Sequence, residues 1–219
     1  MRIAALADIH GNLPAFEAVL ADLPPVDAIV CAGDLVGYYP WPAEVVALIQ
    51  QEAIISVQGN HDRAVATGAG FRFHSAAQAG VDVAIECLSE AEREWLAELP
   101  QSRTLFNGSV KIVHGHPDDP DRYTYPEAFT PNLLAGEDIL ILGHTHVQHA
   151  AMFPEGTIVN PGSVGQPRDG EPGAAYALID LQNSTVEDRR VSYDIDRVVA
   201  KVKEADLPRS LGERLRNGR

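Results

Sequence analysis

The chain has 219 residues, with 17 basic and 31 acidic side chains and a formal net charge of −14. That length suits one domain with a sizeable core, roughly 70% of the unfolded surface being buried on folding. The acidic balance argues against binding of DNA or RNA polymers, and no apolar run approaches the ~20 residues of a membrane span. Cys31 and Cys87 lie among apolar residues and imply no disulfide framework. With an N-terminus that lacks an apolar leader, this points to a cytoplasmic protein that meets neither nucleic-acid polymers nor membranes. Nothing in the sequence signals an oligomeric state.

The small apolar run Ala4-Ala5-Leu6-Ala7 stops at Asp8, with His10, Gly11 and Asn12 after it. An apolar stretch ended this way predicts a buried parallel strand opening into a loop. Leu13, Phe16, Leu20 and Leu23 follow at helical spacing, with Asn12 as N-cap, Pro14 in the first turn and Pro24-Pro25 as the stop. A second strand over 26–32 ends in Gly33-Asp34. The aromatic, proline-rich loop 35–42 leads to a helix over 43–51. A third strand over 53–58 ends in Gly59-Asn60-His61-Asp62. Strand, helix, strand, helix, strand argues for parallel pairing with right-handed crossovers.

Residues 64–99 read as a helical insert. It is broken at Gly68-Ala69-Gly70, with helices over 76–88 and 91–99 and a capping box of Ser89 and Glu92. Asn107-Gly108 between 104–106 and 109–113 is a hairpin signal, and the second arm ends in His114-Gly115-His116. A polar loop over 117–126 carries Arg122, Tyr123 and Tyr125, and a short helix is expected over 127–135. A strand over 138–142 ends in Gly143-His144-Thr145-His146. From 147 to 206 helical crossovers disappear. Strands over 147–153, 157–160, 174–181 and 185–191 predict an antiparallel second sheet or sheet extension, followed by a helix over 194–205. The tail 207–219, rich in Arg and Gly, is expected to be loose. The whole chain, 1–219, reads as a single domain.

Five apolar strands thus end in Asp8/His10, Asp34, Asn60/His61, His114 and His144/His146. In open α/β sheets, ligands bind beyond the carboxyl ends of the strands, so these groups are expected on one rim. Five of the eight histidines are used in this way. The donor set exceeds the demand of one four-coordinate metal. Two divalent ions ~3.5–4 Å apart would share a bridging carboxylate. Asp34 is the natural bridge, since it alone ends the second, central strand. One metal would take Asp8, His10, Asp34 and one histidine of Gly-His-Thr-His. The other would take Asp34, Asn60, His114 and the remaining histidine.

Asp-x-His, Gly-Asp, Gly-Asn-His-Asp, His-Gly-His and Gly-His-Thr-His, spread over 8–146, resemble the ordered motifs of the calcineurin-like metallophosphoesterase superfamily. The segment Asn160-Pro-Gly-Ser-Val-Gly-Gln-Pro-Arg-Asp-Gly170 and the 33–42 loop are similar to its small bacterial and archaeal phosphodiesterase branch. The resemblance implies an α/β fold, a four-layer αββα sandwich of two mixed sheets flanked by helices. It also implies two divalent ions (Mn, Fe, Ni or Zn, with Mn favoured), His146 on the first and His144 on the second. It further implies that His61 protonates the leaving group, with Asp62 placed to orient it.

On this basis a phosphodiesterase is expected, hydrolysing a phosphodiester or nucleotide by attack of a metal-bridging hydroxide with His61 as general acid. The alternatives are a dinucleoside polyphosphate (diadenosine tetraphosphate-type) hydrolase, a non-catalytic scaffold on the same fold, and a mononuclear hydrolase of non-phosphorus esters. One departure matters. Serine/threonine phosphatases of the superfamily carry an Arg soon after Gly-Asp, whereas Asp34 is followed here by Leu35, Val36, Gly37 and Tyr38. Arg168 and Arg122, and Arg63 next to the site in sequence, are candidates to substitute as phosphate contacts, with a solvated surface role as the other reading, and Ser163 and His116 are further substrate-binding candidates. His74 and His149 read as structural or exposed. Tyr38, Tyr39 and Trp41 read as packing the loop, with stacking on a nucleobase as the other use.

Overall fold

A computed structural model describes residues 1–68 and 73–219. The expected helix break at Ala69 and Gly70 lies outside the described residues. Two five-stranded sheets pack face to face. The first has the order β10-β9-β1-β2-β3, from β1 (Arg2–Leu6), β2 (Ala28–Cys31), β3 (Ile55–Ser56), β9 (Ala174–Asp180) and β10 (Thr185–Val191). The second has the order β4-β5-β6-β8-β7, from β4 (Ser102–Leu105), β5 (Val110–Val113), β6 (Ile139–Ile141), β7 (His149–Phe153) and β8 (Gly156–Asn160).

The period-two alternation of strand side chains places the layers. Ile3 and Ala5 of β1 face the second sheet, where they meet Ile112, Ile139, Ile141 and Val159. Ala4 and Leu6 face the helices instead. That layer holds α1 (Leu13–Asp22), α2 (Pro42–Gln51), α3 (Asn60–Thr67), α4 (Ser75–Cys87), α5 (Glu90–Glu98) and α6 (Ile195–Glu204). Burial on both faces is why β1 after Arg2, and the whole of β6, lack polar residues. Asn12 caps α1 through Ala15 N–H, and Ser89 with Glu92 forms the capping box of α5.

The outer face of the second sheet, Leu140, Leu142 and Ile158, is covered by Phe129, Leu133 and Leu134. These residues stand on or beside two short 3₁₀ turns, Pro126–Ala128 and Pro131–Leu133, in place of the helix expected over 127–135. Pro131 has no N–H to donate back into a helix and restarts the chain, so the outer layer is thin.

Three other expectations change. The strands after 147 do not form one antiparallel unit. β7 and β8 join the second sheet, with β8 parallel to β6, whereas β9 and β10 join the first, with β9 antiparallel to β1. This addition makes β1 the central strand and sets β2 beside it. The tail is packed, not loose. Leu207, Leu211 and Leu215 are buried around α7 (Ser210–Glu213), and Tyr39 Oη donates to Leu211 O at 3.0 Å. Leucines four apart form a helical stripe that outweighs the flexible composition around them. No helix among the described residues is long and apolar enough to cross a membrane.

Candidate metal centre

The groups singled out at strand ends lie on the same rim, in the loops after the strands or, for Asn60 and His61, in the first turn of α3. Asp8, His10, Asp34, His144 and His146 all adopt the left-handed backbone region, with φ of 55°, 54°, 55°, 69° and 60°. For a residue with a Cβ this costs about 1–2 kcal/mol, so tertiary bonds must hold it. They do. Asp8 N–H donates to Gly33 O and His10 N–H to Asp34 O, both at 2.9 Å, while the Asp8 carboxylate accepts from His144 N–H at 3.0 and 3.2 Å. Gly59 allows a close approach, since a Cβ there would lie 2.1 Å from Asp34 Oδ1.

The donors converge into two groups that share Asp34, namely Asp8, His10, Asp34 and His146, and Asp34, His114 and His144. His10 Nε2 lies 3.6 Å and His114 Nε2 3.4 Å from Asp34 Oδ2. His146 Nε2 lies 3.4 Å from Asp8 Oδ1 and 3.0 Å from His10 Nε2. Asn60 Oδ1 lies 3.1 Å from His114 Nε2.

One ring nitrogen of each histidine is already committed to a backbone carbonyl. His10 Nδ1 meets Val36 O at 3.3 Å, His114 Nδ1 meets Ala32 O at 2.8 Å and His146 Nδ1 meets Gln166 O at 2.6 Å. In His144 the roles reverse, with Nε2 meeting Asp121 O at 3.1 Å. A carbonyl only accepts, so each of these nitrogens carries the proton and the other nitrogen presents a lone pair. Four lone pairs and two carboxylates aimed at a common region repel one another unless a cation lies between them, and this carbonyl support is typical of metal-ligating histidines.

Electrostatics point the same way. Burial holds His10 and His146 well below the usual imidazole range and lowers His144 to about 4, with the charge of His114 adding to the effect. Burial also raises Asp8. It would raise Asp34 too, but the surrounding imidazoles, His114 first, bring it well below its ordinary value. Burial depresses His114, yet the Asp34 charge and hydrogen bond reverse this and push it up to about 10. With protein groups alone, proton positions at His114 and Asp8 substitute for missing positive charge. The Asp and His groups therefore fit divalent metal on their own chemistry.

The sequence profile of the calcineurin-like phosphoesterase superfamily domain matches residues 1–184. The chain belongs to that superfamily. An uncharacterised protein of Methanocaldococcus jannaschii, MJ0912, is 33% identical over 99% of this chain and 98% of its own length. The phosphodiesterase YfcE of Escherichia coli is 29% identical over 82% and 88%. Among solved structures, a metallophosphoesterase from Sphaerobacter thermophilus superposes with a TM-score of 0.86 at 34% identity, covering 100% and 99% of the two chains. Two mixed sheets flanked by helices are the architecture shared with these calcineurin-like relatives.

Above the donors lies a polar cleft of about 160 Å³. Asp34, Asn60, His144 and His146 line it, together with His61, Tyr38, Tyr123 and Arg168. Arg168 donates to Tyr38 Oη at 3.1 Å and to Gln166 Oε1 at 2.9 Å, which aims its guanidinium along the wall. The other substrate-binding candidates fall elsewhere. The Ser163 hydroxyl is consumed inside the fold, donating to Asp8 O and accepting from Gln166 N–H, both at 2.7 Å. Arg122 and His116 pair with each other and do not line the cleft.

His61 is buried between Tyr38 and Phe73, with ring centroids 4.7 and 4.5 Å away, and burial lowers it to about 4. Asp62 does not orient it. The Asp62 carboxylate turns back along α3 and collects the N–H groups of Gly59, Asp34, Leu35 and Val36 at 2.8–3.2 Å. Among the described residues, His61 Nδ1 has no hydrogen-bond partner. Asp62, third in its helix, is committed to the loop that carries Asp34 and to Gly59 at the start of α3. Asp62→Ala would leave several buried donors unpaired, at ~1–3 kcal/mol each. Denaturant unfolding of this variant is expected to show at least ~2 kcal/mol of lost stability. Unchanged stability with lowered kcat would return Asp62 to the chemistry.

Tyr123, whose ring lies on His144, and the Asp121 carbonyl were not singled out by their sequence context. His74, read as structural or exposed, caps α4 and also reaches the cleft. Tyr39 and Trp41 pack the loop body, and Tyr38 both packs and lines the wall.

Proposed function

We propose that the protein is a metal-dependent phosphodiesterase acting on a small phosphodiester or nucleotide substrate. The observation that carries this is the convergence of four carbonyl-anchored histidines on Asp34. In this reading Asp8, His10, Asp34 and His146 hold one divalent ion. Asp34, Asn60, His114 and His144 hold a second, and Mn is the favoured metal. Bound there, the metals supply Lewis-acid polarisation of the phosphoryl oxygens and acidify water. Arg168 pairs with a non-bridging phosphate oxygen from the cleft wall, in place of the Arg that this chain lacks after Gly33-Asp34. The negative charge of a bound phosphate offsets the burial that keeps the free imidazole neutral, and the protonated His61 then gives its proton to the departing oxygen from the wall nearest Asn60. The likeness to the phosphodiesterase YfcE supports diester over monoester as the substrate.

Metal analysis joined to a substrate panel tests the proposal. Chelation is expected to abolish turnover and Mn, Ni or Zn to restore it. Bis-p-nitrophenyl phosphate is expected to be cleaved faster than p-nitrophenyl phosphate. No turnover with any metal would leave the scaffold alternative, and a preference for the monoester would overturn the diesterase assignment. Faster cleavage of diadenosine tetraphosphate than of either would shift the substrate to dinucleoside polyphosphates.

A further inference from the structure

We infer that Tyr125 and Tyr123 form a stacking platform for a planar ring on the substrate, a nucleobase or comparable heteroaryl group. This rests on the phosphoesterase reading above and adds what is esterified to the phosphate.

Tyr123 stacks on His144 with ring centroids 3.9 Å apart and planes 13° from parallel, and Tyr125 continues the stack at 5.8 Å and 17°. The ladder therefore starts on a candidate metal-ligating ring and runs outward. Tyr123 and Tyr125 are 50% and 47% exposed, and Met152 on β7 is the other exposed large hydrophobic among the described residues. A single exposed apolar side chain is ordinary. Two near-parallel rings opening from a polar cleft offer an apolar face where a substrate would extend.

The loop bearing the rings is held in place. Thr124, between them, is buried. The Asp121 carboxylate pairs with Arg63 at 2.5 Å while its carbonyl meets His144. His116 and Asp119 exchange backbone hydrogen bonds at 3.1 Å. The segment closes onto Gly115, where a Cβ would lie 2.4 Å from Pro120 O. Rings held beforehand spare a ligand the cost of ordering them.

Other aromatic groups near the cleft are already occupied. Tyr38 and Phe73 pack on His61, and Tyr39 and Trp41 are buried. With the phosphate near Arg168, the remainder of the substrate has Tyr123 and Tyr125 as its apolar rim. Stacking on such rings tolerates any base, so a requirement for a planar ring, without strong choice among bases, is expected.

Calorimetric titration of the Mn-loaded full-length protein with adenosine 5′-monophosphate and with ribose 5-phosphate isolates the base, since the two ligands share sugar and phosphate. Wild type and Tyr125→Phe are expected to bind the nucleotide ~5-fold or more tighter than the sugar phosphate. Tyr125→Ala, a change at an exposed side chain, is expected to lose that ratio while keeping its affinity for ribose 5-phosphate. Equal affinities in wild type, or a preference retained by Tyr125→Ala, would overturn the platform and leave the phosphoesterase reading intact. Failure of both ligands to bind would overturn the platform as well, while turnover of the phosphodiester panel decides the phosphoesterase reading separately.

Discussion

Asp34→Asn is expected to strip the protein of bound metal while leaving it folded. One oxygen, Asp34 Oδ2, lies 3.6 Å from His10 Nε2 and 3.4 Å from His114 Nε2, between the two donor groups. Asn has the same shape and still offers an oxygen to the His61 N–H, which Asp34 Oδ1 accepts at 2.8 Å. It lacks the charge that two cations would share, so both sites weaken together. The loss should exceed the ~10–100-fold that follows removal of an outer partner of a metal ligand. His146→Gln touches one group alone and should lower the metal content by about one ion per chain, in line with a two-metal site. Elemental analysis of the purified variants, with thermal unfolding as the folding control, reads this directly. Full metal occupancy in Asp34→Asn, or loss of the same single ion in both variants, would refute the bridge.

His61→Ala should keep its metal and lose ~10²–10⁴ in kcat, with the larger loss on substrates whose leaving oxygen is strongly basic. His61 lines the cleft beside Asn60, and its backbone N–H is fixed on Asp34 while its ring is clamped between Tyr38 and Phe73. That position suits transfer of a proton to a departing oxygen, a step that a p-nitrophenolate leaving group scarcely needs. The diagnostic is therefore the slope of log kcat against leaving-group pKa, which should steepen in the variant. His61→Asn, which fills more of the space between the two rings, guards against a packing artefact. Metal loss in either variant, or equal effects on good and poor leaving groups, would remove His61 from the proton-transfer step.

Much of the donor set was legible because chemistry and local pattern coincide. Apolar runs that stop at Asp or His mark both a buried strand and the loop beyond its carboxyl end, and the fold brings these ends to one rim. The same logic misassigned neighbours whose partners are remote. Asp62 follows His61 directly, but its position at the third residue of α3 turns its carboxylate toward backbone N–H groups. Ser163 lies in a Gly- and Pro-rich loop that looks built for ligand, yet its hydroxyl is spent on Asp8 and Gln166.

By itself, the sequence determined the parallel β1-α1-β2-α2-β3 unit, the strand-end carboxylates and imidazoles, and the caps of α1 and α5, all of which depend on residues a few positions apart. Tertiary structure alone decided that β9 and β10 cross back to the first sheet, that Leu211 lies under Tyr39, and that Tyr123 covers His144. The physical reason is separation along the chain. Tyr39 and Leu211 are 172 residues apart, and no periodicity or turn signal encodes which of two equally apolar surfaces a distant segment will bury.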